Sequence, residues 1–482
     1  MIRRSWWWSA VVSIACLSAP RAGASEAVEA LLYQAANADL RARLLAHAAG
    51  AADSLERGEA YYYAGISYQR AGLGDSAIHC YRRAVALRAE APELEAYADA
   101  LTLRGGRDDI PSAIEALRVQ LAMAKRSSEA EIADTEGRLA WAWYVAERPD
   151  SALPLFRSNE RRLLDPLNPL QRVWRYRMGV VEFEHGDPYR GMEILSWLAV
   201  ESRFQDREVI ALLKKLGDRT RNVGGLERRL RSRRDDADEL EQMVVDTLDG
   251  RRVTFEGRDG FPLAGVVIPA PAGKRSRAAI VLVPPDEPLE AFDSLAVGMR
   301  RAGYSLLLLD ARGSGRSVNP SCALPESWRG RELEMMERST ADVGPALRAL
   351  AGAARVDTTA YLILGVGATA PIAAAAAARD SRVRTLILVS PAPVPVDRGA
   401  TRASLVAFGR PVFFEVPAAN RETLPVAEAL YQATDVRASR ISESERPGDN
   451  ARVFRYDPGA LPRLLRWIEE SWTSAARGGR TP

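Results

Sequence analysis

Hydrolysis or group transfer by side chains needs a nucleophile beside a base, and this chain distributes the two unevenly. Its three histidines are His47, His79 and His185, and none follows His185 in a chain of 482 residues. Its three cysteines are Cys16, Cys80 and Cys322. In the second half, Ser317 and Cys322 are the nearest candidates for a nucleophile. A base for either would have to come from His185. Cys322 has no base beside it in sequence and reads as an ordinary thiol. No second His, Cys or carboxylate stands at metal-ligand spacing from any histidine, so each reads as a surface or packing residue. No metal and no cofactor are expected.

The bulk composition narrows the partners. Lys+Arg number 66 against Asp+Glu 63, a net charge of +3. A dedicated nucleic-acid binder would show a clear basic excess, so no nucleic acid is expected. The hydrophobic fraction of 47% allows large cores. Three cysteines, one of them near the N-terminus, imply no disulfide framework.

Residues 1–24 read as a signal peptide. Arg3 and Arg4 form a basic start, an apolar stretch runs from Trp6 to Leu17, and Ala22-Gly23-Ala24 offers small residues for cleavage before Ser25. The apolar stretch is about 12 residues, against roughly 20 for a spanning helix. Export to the periplasm or medium is therefore expected, with no transmembrane span after signal removal. Two variants stay open. Arg3-Arg4 resembles a twin-arginine signal, and Ser13-Ile14-Ala15-Cys16 resembles a lipobox that would anchor the protein at Cys16.

Residues 25–222 carry apolar residues at helical spacing, with an internal period. Ala77, Ala113, Ala152 and Gly191 recur at matched places, each followed four residues later by Tyr81, Leu117, Phe156 or Leu195. Twelve residues before each stand Gly65, Leu101, Ala140 and Gly179. A small residue lets a second helix approach closely, and a bulky one fills the gap to the next pair. The copy Tyr61-x3-Gly65-x2-Tyr68, Ala77-x3-Tyr81-x2-Ala84 resembles the tetratricopeptide (TPR) pattern. That resemblance implies a protein or peptide partner held by the helices. The alternative is an irregular all-helical domain without a groove. Residues 223–249 read as a joining helix, basic in its first half and acidic in its second. That order opposes the helix dipole, so packing must hold the helix, even with i,i+4 pairs such as Arg231–Asp235 and Arg234–Asp238.

From residue 250 to 475 strands alternate with helices, which predicts a mostly parallel sheet. Residues 253–255 and 263–268 flank a hairpin signal, Asp259-Gly260. Aliphatic runs at 279–283 and 305–309 suit strands buried on both faces. Asp310-Ala311-Arg312-Gly313-Ser314-Gly315-Arg316-Ser317 then resembles the D-x-R-G-x-G-x-S loop of α/β-hydrolases, on the serine-aminopeptidase and dienelactone-hydrolase side. Gly365-Val366-Gly367-Ala368-Thr369 sits where that family has G-x-S-x-G. The fold class is therefore a TPR-like helical repeat followed by an α/β-hydrolase-like domain, with a disordered tail at 476–482.

The resemblance also shows what the chain lacks. The family's nucleophilic Ser sits on a strained strand-to-helix turn, and here that position is Gly367. Further strands are read at 360–364, 385–389 and 411–416, and the acid that follows the last of these in the family aligns with Asn420. The histidine before the last helix aligns with Asn450 or Asp449. On the oxyanion side the family offers backbone N–H groups. Here Pro284-Pro285-Asp286 supplies two residues without an N–H and an added negative charge. Ser317 is a backbone-bonding loop residue in the family pattern. No catalytic residue is therefore expected, and the altered cleft at Gly367, Ala368, Pro284, Pro285, Asp286, Asn420 and Asn450 is left for a small ligand. Two readings follow: an exported, non-catalytic interaction or scaffold protein, or an α/β-hydrolase of the esterase or peptidase type with a non-standard site. A role as an envelope factor bound to peptidoglycan or lipid differs from the first only in partner.

Overall fold

The computed structural model describes residues 25–123, 128–165, 168, 170–220, 223–271, 276–285, 287–417, 423–434, 437–446 and 450–477. Residues 1–24, with the leader, lie outside them, as do residues 478–482. The chain divides into two compact units. One joins residues 1–235 with residues 320–333, and the other joins 236–319 with 334–482. The recruitment of 320–333 to the first unit has no signal in the sequence.

The first unit is helical. After α1 (Glu26–Gln34) and α2 (Asn37–Gly50), helices come in antiparallel pairs: α3 (Ser54–Arg70) with α4 (Gly74–Leu87), α5 (Ala91–Arg104) with α6 (Asp109–Met123), α7 (Glu129–Val145) with α8 (Pro149–Leu163), and α9 (Gln171–His185) with α10 (Pro188–Glu201). Helix α11 (Arg207–Thr220) follows. Local chemistry starts these helices. Asp53 accepts from Leu55 N at 3.0 Å, and Asp187 from Tyr189 N at 2.9 Å. Ser128 and Glu131 form a reciprocal capping box, and prolines stand in the first turns of α5, α8 and α10.

The periodic residues fall one set per pair. Gly65, Leu101, Ala140 and Gly179 lie on the first helices, and Ala77, Ala113, Ala152 and Gly191 on the second. The aliphatic, aromatic and alanine members of these sets are buried. A Cβ on Gly65 would stand 2.5 Å from the Tyr81 ring, and one on Gly179 would stand 2.6 Å from Leu195 Cγ. The bulky residue of each of these two pairs thus packs into the space the glycine leaves. His79 is exposed, His47 Nε2 lies 2.8 Å from Glu56, and His185 packs edge-on to Tyr144 at 5.9 Å.

Helix α12 (Val223–Thr247) crosses the division between the units. Its charges are used off the helix as well as along it. Arg233 reaches Glu193 in the first unit, while Asp238 and Glu241 meet Arg316 at 2.7 and 3.3 Å in the second. Arg231 meets Glu227 at 3.6 Å. Val245 and Leu248 enter the core of the second unit, whereas Leu240 and Met243 are exposed.

The second unit is an eight-stranded sheet in the order β1-β2-β4-β3-β5-β6-β7-β8. The strands are β1 (Arg251–Glu256), β2 (Pro262–Ile268), β3 (Ser276–Val283), β4 (Tyr304–Asp310), β5 (Val356–Val366), β6 (Val383–Val389), β7 (Val412–Pro417) and β8 (Arg440–Ser444). β2 runs antiparallel to both β1 and β4, and every other pairing is parallel. Helices separate the parallel strands: α13 (Asp293–Arg301), α14 (Glu332–Ala353), α15 (Ala370–Arg379), α16 (Arg398–Phe408) and α17 (Thr423–Tyr431), then α18 (Val453–Tyr456) and α19 (Ala460–Arg477) at the end. This fits an α/β-hydrolase-like domain. One face packs Val281, Leu306, Leu364 and Ile387 against Phe292, Leu295, Leu464 and Trp467. β8 is short and polar along an edge, so it escapes a hydrophobic reading. Helix α19 runs to Arg477. Cys80 and Cys322 are buried thiols that no disulfide joins. Among the described residues no helix is long and apolar enough to cross a membrane.

Candidate functional site

The strand register brings three loops together. Leu282 pairs with Gly365 and Val366 with Val389. Continued outward, the same register sends Pro284, Gly367 and Ser390 off the sheet side by side. At Gly367 the chain turns from β5 through a short 3-10 turn into α15, with φ +51°. That is the left-handed region, which glycine enters without the cost a Cβ imposes. The resemblance places the nucleophile at this turn, and here it carries no side chain.

A side chain occupies the space in front of it. A Cβ built on Gly367 would stand 2.9 Å from Asn450 Oδ1. Asn450 itself has φ +54°, and its backbone N–H donates to Ser390 Oγ at 3.1 Å. Ser390 is also left-handed, with φ +46°, and its N–H donates to Glu415 O at 2.8 Å. A non-glycine residue in such a conformation costs on the order of 1–3 kcal/mol and persists only where its surroundings hold it. Here two such residues hold each other beside a third left-handed position. Ser390 was missed in the sequence, although its place after β6 and before Pro391 was the available signal.

The neighbouring groups tie the turn down. Thr369, buried, accepts from Val366 N at 2.9 Å, and its hydroxyl lies 3.0 Å from Leu282 O. It thus stitches the turn to the end of β3. Pro284 is buried and closes a turn in which Glu287 N donates to Pro284 O at 3.2 Å. The Glu287 carboxylate faces Arg452, two residues past Asn450, at 3.8 Å. Ala368 is exposed. Asp286, Asn420 and Asp449 lie outside the described residues. The structure therefore brings Gly367, Ala368, Asn450, Pro284 and Pro285 to one end of the sheet. Among the described residues there, the groups at hand are amide and hydroxyl hydrogen-bonders and the Glu287–Arg452 ion pair.

The D-x-R-G-x-G-x-S loop is spent on structure. Arg312, buried, donates from Nε and Nη2 to Asp342, both at 2.6 Å, and from Nη1 and Nη2 to Asp259, both at 2.9 Å. Its guanidinium stacks on Phe261 at 4.5 Å. Hydrogen bonds from Arg312 hold the Asp259 carboxyl well below the usual carboxylate range. Ser317 is fully buried and accepts from Ala264 N at 2.9 Å, on a strand three places from β5. Cys322 belongs to the helical unit. Ser317 therefore does not stand at the β5 turn.

One buried carboxylate was also missed. Glu415, on β7, is fully buried and has Arg463 at 3.3 Å. Burial pushes its carboxyl up to about 7, with Ser442 and Arg463 pulling it back. Its Oε2 has no hydrogen-bond partner among the described residues.

No family model matches the chain, and no curated protein matches it. Among solved structures it is similar to an esterase domain from a Rhodothermus marinus protein, at 14% identity over 46% of this chain and 98% of that one, TM-score 0.35. It is similar to a predicted CIB-like hydrolase from Thermoplasma acidophilum, at 13% identity over 46% and 98%, TM-score 0.37. It is also similar to an esterase from Pyrococcus furiosus, at 12% identity over 47% and 93%, TM-score 0.37.

Proposed function

We propose that this chain is an exported, non-catalytic interaction or scaffold protein. In this reading a TPR-like helical array supplies the binding surface, and a hydrolase-like domain without a working triad is kept as a scaffold or small-ligand cleft. One observation carries the loss of catalysis: Gly367 holds the nucleophile turn, and the Asn450 carboxamide fills the place of the missing side chain. An amide does not take a proton from a hydroxyl near neutral pH, and general-base assistance is worth roughly 100- to 10,000-fold. Among the described residues of the second unit there is no histidine to replace it. The two prolines after β3 further weaken the oxyanion side, since neither offers an N–H.

Export rests on the leader and on Ser25, the residue after the small-residue run, which is the N-cap of α1. The test is direct. Purified protein is treated with a fluorophosphonate probe and assayed for p-nitrophenyl acetate turnover against a no-enzyme blank. No labelling and turnover at the blank level are expected. Covalent labelling with turnover well above the blank would establish the hydrolase reading instead.

A further inference from the structure

The helical unit contains a segment that sequence order assigns to the other half of the chain. Residues 320–333 join it in one compact body. Their contacts run along the first helices of the pairs. Glu326 Oε1 accepts from Arg172 Nε on α9 at 2.8 Å, with both side chains nearly buried. Residues Pro320 to Ser327 line a pocket with Asp206, Arg207 and Glu208 at the start of α11. At the other end Gly330 lies on Gly72, just after α3. Both glycines are left-handed, at φ +65° and +72°, and a Cβ on Gly72 would stand 2.8 Å from Gly330 O. The approach leaves no room for a Cβ on Gly72, whereas at Gly330, where a Cβ would stand 3.4 Å from Gly72 Cα, it is the left-handed backbone that favours glycine. Between these points Cys322, Ala323 and Leu324 are buried.

Ion pair, apolar run and glycine contact together describe recognition of a polypeptide segment at several fixed points. Residues 320–331 contribute turns, bends, a bridge at Cys322 and a 3-10 stretch, Pro325–Trp328, before α14 begins. A segment without a regular helix or strand of its own is held largely by what it docks on, and such segments open at lower cost than the helices beneath them. We propose that residues 320–333 are a strap, a ligand carried in cis. It occupies the peptide site of the helical unit and has to leave before an external segment of the same chemistry can bind. That chemistry is a short apolar run, a carboxylate seated on Arg172, and a glycine four residues later. The proposal deepens the interaction reading but does not rest on the loss of catalysis. Its test reads no enzymatic activity, so the two fail separately.

The test uses the full chain and two strap variants, Glu326→Arg and Gly330→Val, which leave the helices unaltered. Two quantities are measured. One is tryptic cleavage after Arg329 and Arg331, followed by mass spectrometry. The other is binding of a fluorescent peptide of residues 318–334, with the Glu326→Arg peptide as control. Cleavage under rapid reclosing tracks the open population, so both variants should be cut roughly ten-fold faster than wild type. Apparent affinity scales with the fraction of open sites, so the peptide should bind the variants roughly ten-fold more tightly than wild type. The control peptide should bind neither. Folded variants that are cut no faster and bind no peptide would overturn the proposal. So would wild type binding the peptide as tightly as the variants. Loss of helical structure in both variants would also overturn it, because the segment would then be an integral part of the fold.

Discussion

At the scale of single residues, the decisive position is Gly367. Its left-handed backbone and the Asn450 oxygen 2.9 Å from a built Cβ make it intolerant of a side chain for two separate reasons. Gly367→Ser should still fold, because the obstructing atom is the end of a flexible side chain. It should cost about 1–3 kcal/mol of stability through backbone strain. It should not turn over p-nitrophenyl acetate above the blank. Chemical denaturation and the ester assay check the two halves, and efficient turnover by the single variant would mean that a base is present after all. Ser317 makes the complementary case. Its hydroxyl satisfies the buried Ala264 N–H. Ser317→Ala should therefore lower stability by about 1–3 kcal/mol, the cost of an orphaned buried donor. If Ser317 were instead a nucleophile, the same change would abolish fluorophosphonate labelling present in wild type.

At the scale of elements, interior contacts dictate how helices and strands seat. Ala77 is buried on α4, the partner of α3. Ala77→Leu should overpack that helix pair by about 1–3 kcal/mol and lower its thermal midpoint. An unchanged midpoint would mean that Ala77 does not stand at the crossing. Glu415 ties β7 to β8 and α19 through Ser442 and Arg463. Its carboxyl is raised to about 7, above an unfolded value of about 4.3. Between those two values the folded state binds more protons than the unfolded one, so stability falls as pH rises and levels off above about 7. Asp457 also faces Arg463, at 2.8 Å, and shares its charge. Glu415→Gln should remove this slope, leaving the variant more stable than wild type at pH 8. Denaturation curves at pH 5 and pH 8 read it, and parallel pH dependence in the two proteins would contradict it.

At the scale of the whole molecule, the first described residue carries a hint about processing. Ser25 N donates to Glu59 Oε2 at 2.8 Å, and Glu59 is nearly fully buried. Cleavage after Ala24 would turn that amide into an α-ammonium, so that the bond to the Glu59 carboxylate becomes an ion pair with both partners charged. N-terminal sequencing of protein recovered from cells should therefore begin at or near Ser25. An intact Met1 on cytoplasmic protein would contradict export.

Much of the second unit was legible because it obeys local rules. Aliphatic runs bounded by turn residues marked seven strands, and Gly367 stood out because the resemblance to α/β-hydrolases sets a serine at that place. The helix pairs were legible because a small residue and a bulky one recur at matched helical positions. β8 was not, since five polar-rich residues on an edge carry no hydrophobic period. Ser390, Glu415 and Thr369 were not either. Each acquires its role from residues far away in the chain: Asn450, Arg463 and Leu282. The strap is the clearest case. Nothing in residues 320–333 distinguishes them from an ordinary loop, because their partners, Gly72, Arg172 and Asp206, lie far back in the sequence. Composition and periodicity determine which segments form helices and strands, since those depend on neighbours within a few residues. Which loop seats on which surface is decided by backbone approach and buried charge across the fold, and only the tertiary structure contains those.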